Sequence, residues 1–200
     1  MFPEITRDDV FRIETDRLWL RWPRSGDVDG FVEYAGDPDI ALKTAAIPHP
    51  YSADDARDFI AHARAENEGG TGLCLALTPK RAPAAPIGVI GVHGADARGT
   101  AAMGFWLAKP FWGQGFMGEA AATFVDLVFG VSSLQELRAC ALPDNAASLG
   151  VLDKLGFQRL GLGTIDAPVR GGMFTVEWAK LTRGSALTRF AARRAKLTSA

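Results

Sequence analysis

The sequence predicts a mixed α/β fold, in which one sheet carries helices on both of its faces. Short apolar runs, typical of strands, alternate along the chain with longer stretches of helical periodicity. The 200 residues are enough for one sizeable core, and a composition of 48% hydrophobic and 22% charged residues is that of a globular protein. We expect a single domain over residues 1–183, followed by a basic C-terminal helix or tail over residues 184–200.

Composition and cysteine spacing argue against several functional classes. The net charge of −1 gives no support to a nucleic-acid partner. No apolar run approaches the roughly 18–20 residues of a membrane span, and no N-terminal stretch has the pattern of a signal peptide. Cys74 and Cys140 lie far apart without metal-ligand spacing. We therefore expect two reduced thiols, no metal and a cytoplasmic protein, and both a monomer and a homodimer stay open.

The first half of the chain combines one strand with three helical segments. In order, the pattern predicts an amphipathic strand near a sheet edge (Ile13–Trp22), a helix capped by Ser25, a short helical segment (Asp37–Thr44), a rigid proline connector (Pro48–Tyr51) and a helix from Ser52 to Gly69-Gly70. Ser52 and Asp55 resemble a capping box, which satisfies backbone groups at the start of that last helix.

The second half of the chain is rich in strands. The predicted strands are Thr71–Thr78, Ile87–His93, Ala101–Ala108, Glu136–Leu142, Phe157–Leu162 and Met173–Leu181. Ala101–Ala108 contains no charged residue, which is typical of a strand buried on both faces. A helix ending near Gly130 follows this strand, and a second helix runs from a cap at Asp144 and Asn145 to Leu155. The last two strands are expected to be joined by a loop that contains Asp166 and Arg170.

A glycine-rich turn connects the Ala101–Ala108 strand to its helix. It carries Gly113, Gln114, Gly115 and Gly118. The first turn of a helix has unpaired N–H groups and partial positive charge, and glycines let an anion approach the backbone. A tight structural turn explains the same glycines, so both interpretations stay open. The missing Lys-Ser or Lys-Thr disfavours a P-loop, and the spacing differs from the dinucleotide-binding GxGxxG.

A second motif is Asn145-x-x-Ser148, followed by Lys154-Leu-Gly-Phe157. Ser148, Leu152 and Leu155 are spaced i, i+4, i+7, which predicts that the Ser148 hydroxyl lies on the inward face of its helix. An inward hydroxyl needs a hydrogen-bond partner, and a helix cap or a nearby carbonyl would suffice.

Taken together, the two motifs resemble the GCN5-related N-acetyltransferase (GNAT) superfamily. The first is Trp112–Ala120 (WGQGFMGEA), and Asn145-x-x-Ser148 follows about 25 residues later. The similarity extends over roughly residues 13–183 and is closest to the ribosomal-protein N-terminal acetyltransferase-like branch. Thr15-Asp-Arg-Leu18, Pro48-His-Pro-Tyr51 and Glu177-Trp178 are also typical of that branch.

This resemblance implies a mostly antiparallel sheet splayed into a V, with acetyl-CoA as cosubstrate in the opening. The pantetheine arm would pair with the backbone of the central strand, around Phe105, Trp106 and Leu107. Asn145 would hydrogen-bond that arm, and Ser148 would act as the acid toward the departing thiolate. The diphosphate would lie on the backbone N–H groups of Gly113, Gln114, Gly115, Phe116, Met117 and Gly118.

Two positions depart from the family's glycine motif. Trp112 stands where Gln or Arg is usual, and Met117 stands where Gly or Ala is usual. Backbone donors do not depend on the side chain, so both are compatible with binding, although Met117 is expected to crowd the phosphates. Many members use a Tyr as the acid in the helix region where this chain has only the Ser148 hydroxyl.

The implied reaction, direct attack of a neutral amine on the thioester, requires a proton acceptor. The branch often places a Glu near Ala102, and this sequence has none there. His93 is our choice of base, although the interpretation as a strand-end histidine bonded to a loop carbonyl is favoured over it. Cys140 as an acetylated nucleophile is disfavoured, because the family transfers directly. Glu33, Asp144 and Asp166 also remain candidates for the proton acceptor, each acting through a water molecule.

The acceptor is expected between the Val28–Tyr51 helices and the Thr164–Met173 loop, with Tyr51, His49 and Trp106 in contact and Trp22 in the core. An α-amine is roughly 10–20% neutral at pH 7, whereas a lysine is neutral about once in 2,500 molecules. A peptide or protein N-terminus is therefore favoured. A small-amine, metabolite or antibiotic acetyltransferase and a non-catalytic CoA-binding sensor remain as alternatives.

Overall fold

Eight strands and six α-helices form the part of the chain that the computed structural model describes, residues 1–198 with side chains to residue 191. The strands are β1 (Arg12–Glu14), β2 (Leu18–Arg21), β3 (Leu73–Pro79), β4 (Gly88–His93), β5 (Thr100–Leu107), β6 (Glu136–Ala141), β7 (Gln158–Ala167) and β8 (Gly172–Thr182). The helices are α1 (Val28–Ala35), α2 (Pro38–Ala41), α3 (Ala53–Gly69), α4 (Phe116–Val131), α5 (Ala146–Leu155) and α6 (Arg183–Thr198).

All strands join one sheet in the order β1-β2-β3-β4-β5-β6-β8-β7, and every neighbouring pair is antiparallel except β5 and β6. The parallel pair is short: Thr100–Ala102 faces Glu136–Arg138 and the pairing ends there. Both strands then continue beside their antiparallel partners, β5 to Leu107 and β6 to Ala141. The sheet therefore opens between β5 and β6, which confirms the splayed, mostly antiparallel sheet expected from the resemblance.

Alternation along the inner strands produces a core on each face of the sheet. On β3, Leu73, Leu75 and Leu77 belong to the larger core, while Cys74 and Ala76 belong to the smaller one. The larger core contains the apolar face of α4, as its periodicity predicted. The smaller core contains side chains of α1 and α3. Helices therefore cover both faces.

α6 packs against α4 instead of extending away from the domain. The guanidinium of Arg183 donates to the backbone carbonyls of Phe129, Ser132 and Leu134 at the end of α4. Ala186 is fully buried in the larger core. The basic residues Arg193, Arg194 and Lys196 lie outside the described side chains.

Two expectations for the N-terminal region were wrong. Ile13–Trp22 is not one strand, because the chain turns at Thr15–Leu18 and β1 pairs with β2 as a hairpin. The polar run from Glu14 to Arg17 is the only sequence sign of the turn, and it contains neither glycine nor proline. Ser25 does not cap α1, since it lies within a 3₁₀ turn, Ser25–Asp27. By contrast, the capping box of Ser52 and Asp55 is confirmed at the start of α3.

The final hairpin is longer than the sequence indicated. β7 and β8 pair from Gln158 to Ala167, so Asp166 lies within a strand and not in a loop. Only a 3₁₀ turn, Pro168–Arg170, and Gly171 separate the strands. Glycines at 161 and 163 obscured the strand pattern, because glycine is depleted in strand interiors.

Candidate active site

A cavity of about 800 Å³ lies on the sheet face that carries α1 and α3, between α3 and the β7–β8 hairpin. Its floor includes Gly91 of β4 and Gly104 of β5, which are opposite each other in the strand register. A Cβ on Gly104 would meet nothing within 4 Å. The prediction that the central strand is buried on both faces was therefore wrong, because Ala102 and Gly104 are exposed on the cavity side.

The opening between β5 and β6 leaves one edge of β5 without a strand partner. From Met103 to Leu107 the strand pairs only with β4 in the described part of the chain. The Leu107 carbonyl already accepts a hydrogen bond from Trp112 Nε1 at 2.6 Å. The other backbone groups on the edge without a strand partner can pair with an extended ligand that carries amides, as in strand addition. Phe105 and Trp106, two of the residues expected to contact pantetheine, also line the cavity.

Asn145 and Ser148 meet at the cavity wall opposite this edge. The Oδ1 atom of Asn145 accepts a hydrogen bond from the Ser148 backbone N at 3.2 Å, which caps α5. Leu149, and not Ser148, shares the buried face with Leu152 and Leu155. Ser148 is half-buried at the cavity, and its hydroxyl has no hydrogen bond to another described residue. It is therefore free to bond a ligand.

The glycine-rich turn presents backbone donors at the start of α4. Gly113 and Gly115 have φ angles of 72° and 80°, which only glycine adopts without strain. The first helical hydrogen bond runs from Glu119 N to Gly115 O, so the N–H groups of Phe116, Met117 and Gly118 precede it. The expected crowding by Met117 was wrong, because its side chain is buried in the core. These donors fit the diphosphate of acetyl-CoA.

A set of contacts, here called the hairpin clamp, ties the turn of the β1–β2 hairpin to the glycine-rich turn. Thr15 Oγ1 and Arg17 N donate to Glu119 Oε1 at 2.6 and 2.8 Å, and Arg17 Nε donates to Oε2 at 2.6 Å. Arg17 Nη1 also donates to the Gln114 carbonyl at 2.9 Å. Burial raises the pKa of Glu119, but the hydrogen bonds from Thr15 and Arg17 outweigh it and hold that pKa below its usual range.

Titratable side chains predicted for the site divide into two groups. His93, the exposed last residue of β4, lines the cavity opposite Ala102. Tyr51 also lines it, and burial raises the pKa of Tyr51 to about 12, so the phenol stays neutral. Cys140 lines the cavity, and burial raises the pKa of its thiol. The structure does not bring His49, Glu33, Asp144 and Asp166 to the cavity lining. Trp22 is buried in the larger core, as expected.

The sequence reading missed the polar face of α3. Asp55, Asp58, His62 and Glu66 all line the cavity. Their i, i+3, i+7, i+11 spacing was a usable signal, but only packing decides which helix face meets a cavity. Arg170 was noted in a loop without a role, and its guanidinium donates to the carbonyls of Ala41 and Ile47 beside the cavity.

Two further findings concern the described residues only. No cluster of three or more histidine, cysteine, aspartate or glutamate side chains among them has the arrangement of a metal site. No helix within that part of the chain has the length and apolar character needed to span a membrane.

Comparisons with known proteins agree with this geometry. A family model described as "Acetyltransferase (GNAT) domain" matches residues 17–158. N-acetyltransferase p20 of Bacillus licheniformis is 30% identical over 149 residues, which cover 74% of this chain and 83% of that protein. The chain belongs to the GNAT family. It is an N-acetyltransferase, and acetyl-CoA is its cosubstrate.

Solved GNAT structures share the fold. RimJ of Mycobacterium smegmatis, in complex with CoA-disulfide, has a TM-score of 0.72 at 21% identity over 88% of this chain and 90% of that one. Ribosomal-protein-S5-alanine acetyltransferase from Vibrio fischeri has a TM-score of 0.73 at 16% identity, covering 86% and 97% of the two chains. These structures confirm that the fold of this GNAT protein resembles the folds of ribosomal-protein acetyltransferases.

Proposed function

We propose that this GNAT protein acetylates the α-amine at the N-terminus of a peptide or protein, by direct attack on the thioester of acetyl-CoA. One observation carries the proposal. The sheet opens between β5 and β6 at the cavity that Ser148, Asn145 and His93 line together. A thioester bound in that opening would lie in the same cavity as the Ser148 hydroxyl and the His93 imidazole.

In this mechanism the chain binds acetyl-CoA largely through backbone groups. The free edge of β5 pairs with the pantetheine amides, and the N–H groups from Gly113 to Gly118 hold the diphosphate. The side-chain amide of Asn145, whose Oδ1 caps α5, donates to the pantetheine arm. The Ser148 hydroxyl donates to the sulfur as the thiolate departs. Holding the amine and the thioester together in one cavity supplies much of the rate enhancement.

Proton transfer favours an α-amine as the acceptor. With a pKa of 7.7–8.0, roughly 10–20% of such amines are neutral at pH 7, whereas about one lysine amine in 2,500 is. His93 then needs only to receive the proton that the amine loses on attack. A lysine acceptor would require a stronger base, and Ala102 occupies the position where a carboxylate would serve.

The lining of the cavity also supports a peptide over a polycation. Most of it is apolar, including Phe31, Phe59 and Trp106, whose rings meet edge to face. Of the α3 carboxylates that line the cavity, Asp55 accepts hydrogen bonds from Ser52 and Glu66 lies 3.6 Å from His62 Nε2, so Asp58 is left to meet a cation. A polyamine or aminoglycoside presents several charges and would need several free carboxylates.

The test is a thiol-release assay with acetyl-CoA and a panel of peptides, each with a free or an N-formylated terminus, beside spermidine and kanamycin. We expect turnover only with free N-termini, and the formylated peptides are the matched controls. Turnover with spermidine or kanamycin alone would assign a small-amine acetyltransferase. Binding of acetyl-CoA by calorimetry without release from any acceptor would assign a CoA sensor.

A further inference from the structure

The hairpin clamp joins two motifs that are about 100 residues apart, and the acetyl-transfer mechanism above assigns it no task. Thr15 and Arg17 come from the turn between β1 and β2, whereas Glu119 lies in the first turn of α4. Both oxygens of the Glu119 carboxylate are occupied by donors from this hairpin. A surface ion pair alone contributes little, but four hydrogen bonds that converge on one turn define a geometry.

The clamp reaches the backbone that presents the anion donors. Arg17 Nη1 donates to the Gln114 carbonyl at 2.9 Å, and the guanidinium carbon stands 4.1 Å from the centroid of the Phe116 ring. Its Nη2 atom lies 3.5 Å from the place where a Cβ of Gly115 would be. Arg17 thus contacts Gln114 and Phe116, which lie on either side of Gly115, the N-cap of α4.

We propose that Arg17, held by Glu119 and Thr15, is a positioning residue that fixes the glycine-rich turn in the conformation that binds the diphosphate of CoA. The proposal rests on the proposed cofactor site. Its physical basis is preorganisation: a turn with two positive-φ glycines samples many conformations, and the clamp removes most of them before the ligand arrives. A carbonyl fixed by Arg17 also turns the neighbouring N–H groups toward the anion.

The proposal predicts that the clamp matters only for ligands that carry the diphosphate. Arg17→Met keeps an apolar stem over Phe116 and removes all three guanidinium contacts. We expect its Kd for CoA, measured by calorimetry, to rise about tenfold. The kcat/KM with S-acetylpantetheine, a donor without the diphosphate, should fall less than twofold. Arg17→Lys should resemble Arg17→Met, because an ammonium cannot bond a carboxylate and a carbonyl in the same planar geometry.

Arg64 provides a matched control. Its guanidinium donates to Asp9 and to the Pro23 carbonyl, and lies 5.4 Å from the Trp22 ring centroid, far along the chain from the glycine-rich turn. Arg64→Met therefore removes the same three kinds of contact as Arg17→Met: one with a carboxylate, one with a backbone carbonyl and one with an aromatic ring. We expect its Kd for CoA to stay within twofold of the wild type.

The outcomes separate the inference from the proposed function. Equal losses with CoA and S-acetylpantetheine, equal losses in Arg17→Met and Arg64→Met, or full affinity in Arg17→Lys would overturn the positioning role. In each of those cases wild-type binding and turnover are intact. If the wild type itself neither binds CoA nor releases thiol with any acceptor, the proposed function fails instead.

Discussion

Replacement of Ser148 by alanine should slow the chemical step and leave cosubstrate affinity almost unchanged. The Ser148 hydroxyl borders the cavity and has no hydrogen bond to any residue whose side chain is described, so its proposed role is a hydrogen bond to the thiolate that forms in the transition state. A hydrogen bond to a charged group contributes about 1.5–3 kcal/mol. Since 1.36 kcal/mol is a factor of ten in rate, kcat should fall by about 10- to 150-fold.

The assay is steady-state thiol release at saturating acetyl-CoA, combined with calorimetric Kd values for acetyl-CoA. The fold should not be affected, because Asn145 and not Ser148 supplies the side-chain cap of α5. Ser148→Thr, which keeps a hydroxyl, should retain more activity than Ser148→Ala. An unchanged kcat, or a weaker Kd with an unchanged kcat, would refute the reasoning and leave the hydroxyl a structural role.

Three other predictions concern stability, pH and thiol reactivity. Asp27→Ala should destabilise the fold by about 3–5 kcal/mol in urea unfolding, because Asp27 is fully buried against the Arg21 guanidinium, with two contacts of 2.7 Å. The hydrogen bonds to Glu119 lower its pKa in the folded state, so its contribution to stability should be complete above the unfolded-state pKa of about 4.3. That contribution should be lost as the pH falls through the lower folded-state pKa. The measurement is the difference in urea midpoint between the wild type and Glu119→Gln at each pH. With Ellman's reagent, Cys74 should react only in denaturant, because burial raises its pKa to about 12, and acetyl-CoA should protect the accessible Cys140.

Each of these predictions has an internal control. Asp54→Ala removes an exposed ion pair with Arg57 and should change the unfolding free energy by less than about 1 kcal/mol, so equal losses would contradict the argument from burial. A Glu119→Gln difference that does not shrink between pH 7 and a pH well below about 4.3 would contradict the assigned pKa direction. A native thiol signal that persists in Cys140→Ala would show that Cys74 is accessible.

Local patterns allowed much of the fold to be predicted from sequence. The capping box of Ser52 and Asp55 and the left-handed Gly156 after α5 satisfy backbone groups within one turn, so neighbouring residues decide them. The hairpin turn at Thr15–Leu18 was missed, because it contains neither glycine nor asparagine and apolar residues continue on both sides.

The candidate site was only partly predictable, because its geometry depends on packing between distant elements. Asn145 and Ser148 could be found from one motif, and the structure brings both to the cavity. The inward direction of Met117 depends on where α4 packs, and the polar face of α3 depends on where the sheet opens. The contact between Arg17 and Glu119 joins residues 102 positions apart, and a single sequence carries no signal for it.

The short β5–β6 pairing affects the stability of the protein when acetyl-CoA is not bound. It creates a strand edge in the interior of one domain, and such edges invite pairing with other extended chains, including aggregation. Acetyl-CoA bound as proposed would occupy that edge and stabilise the native state, by about 2.7 kcal/mol at a hundred times its Kd. The resistance of the protein to heat and proteolysis should therefore rise with the concentration of acetyl-CoA.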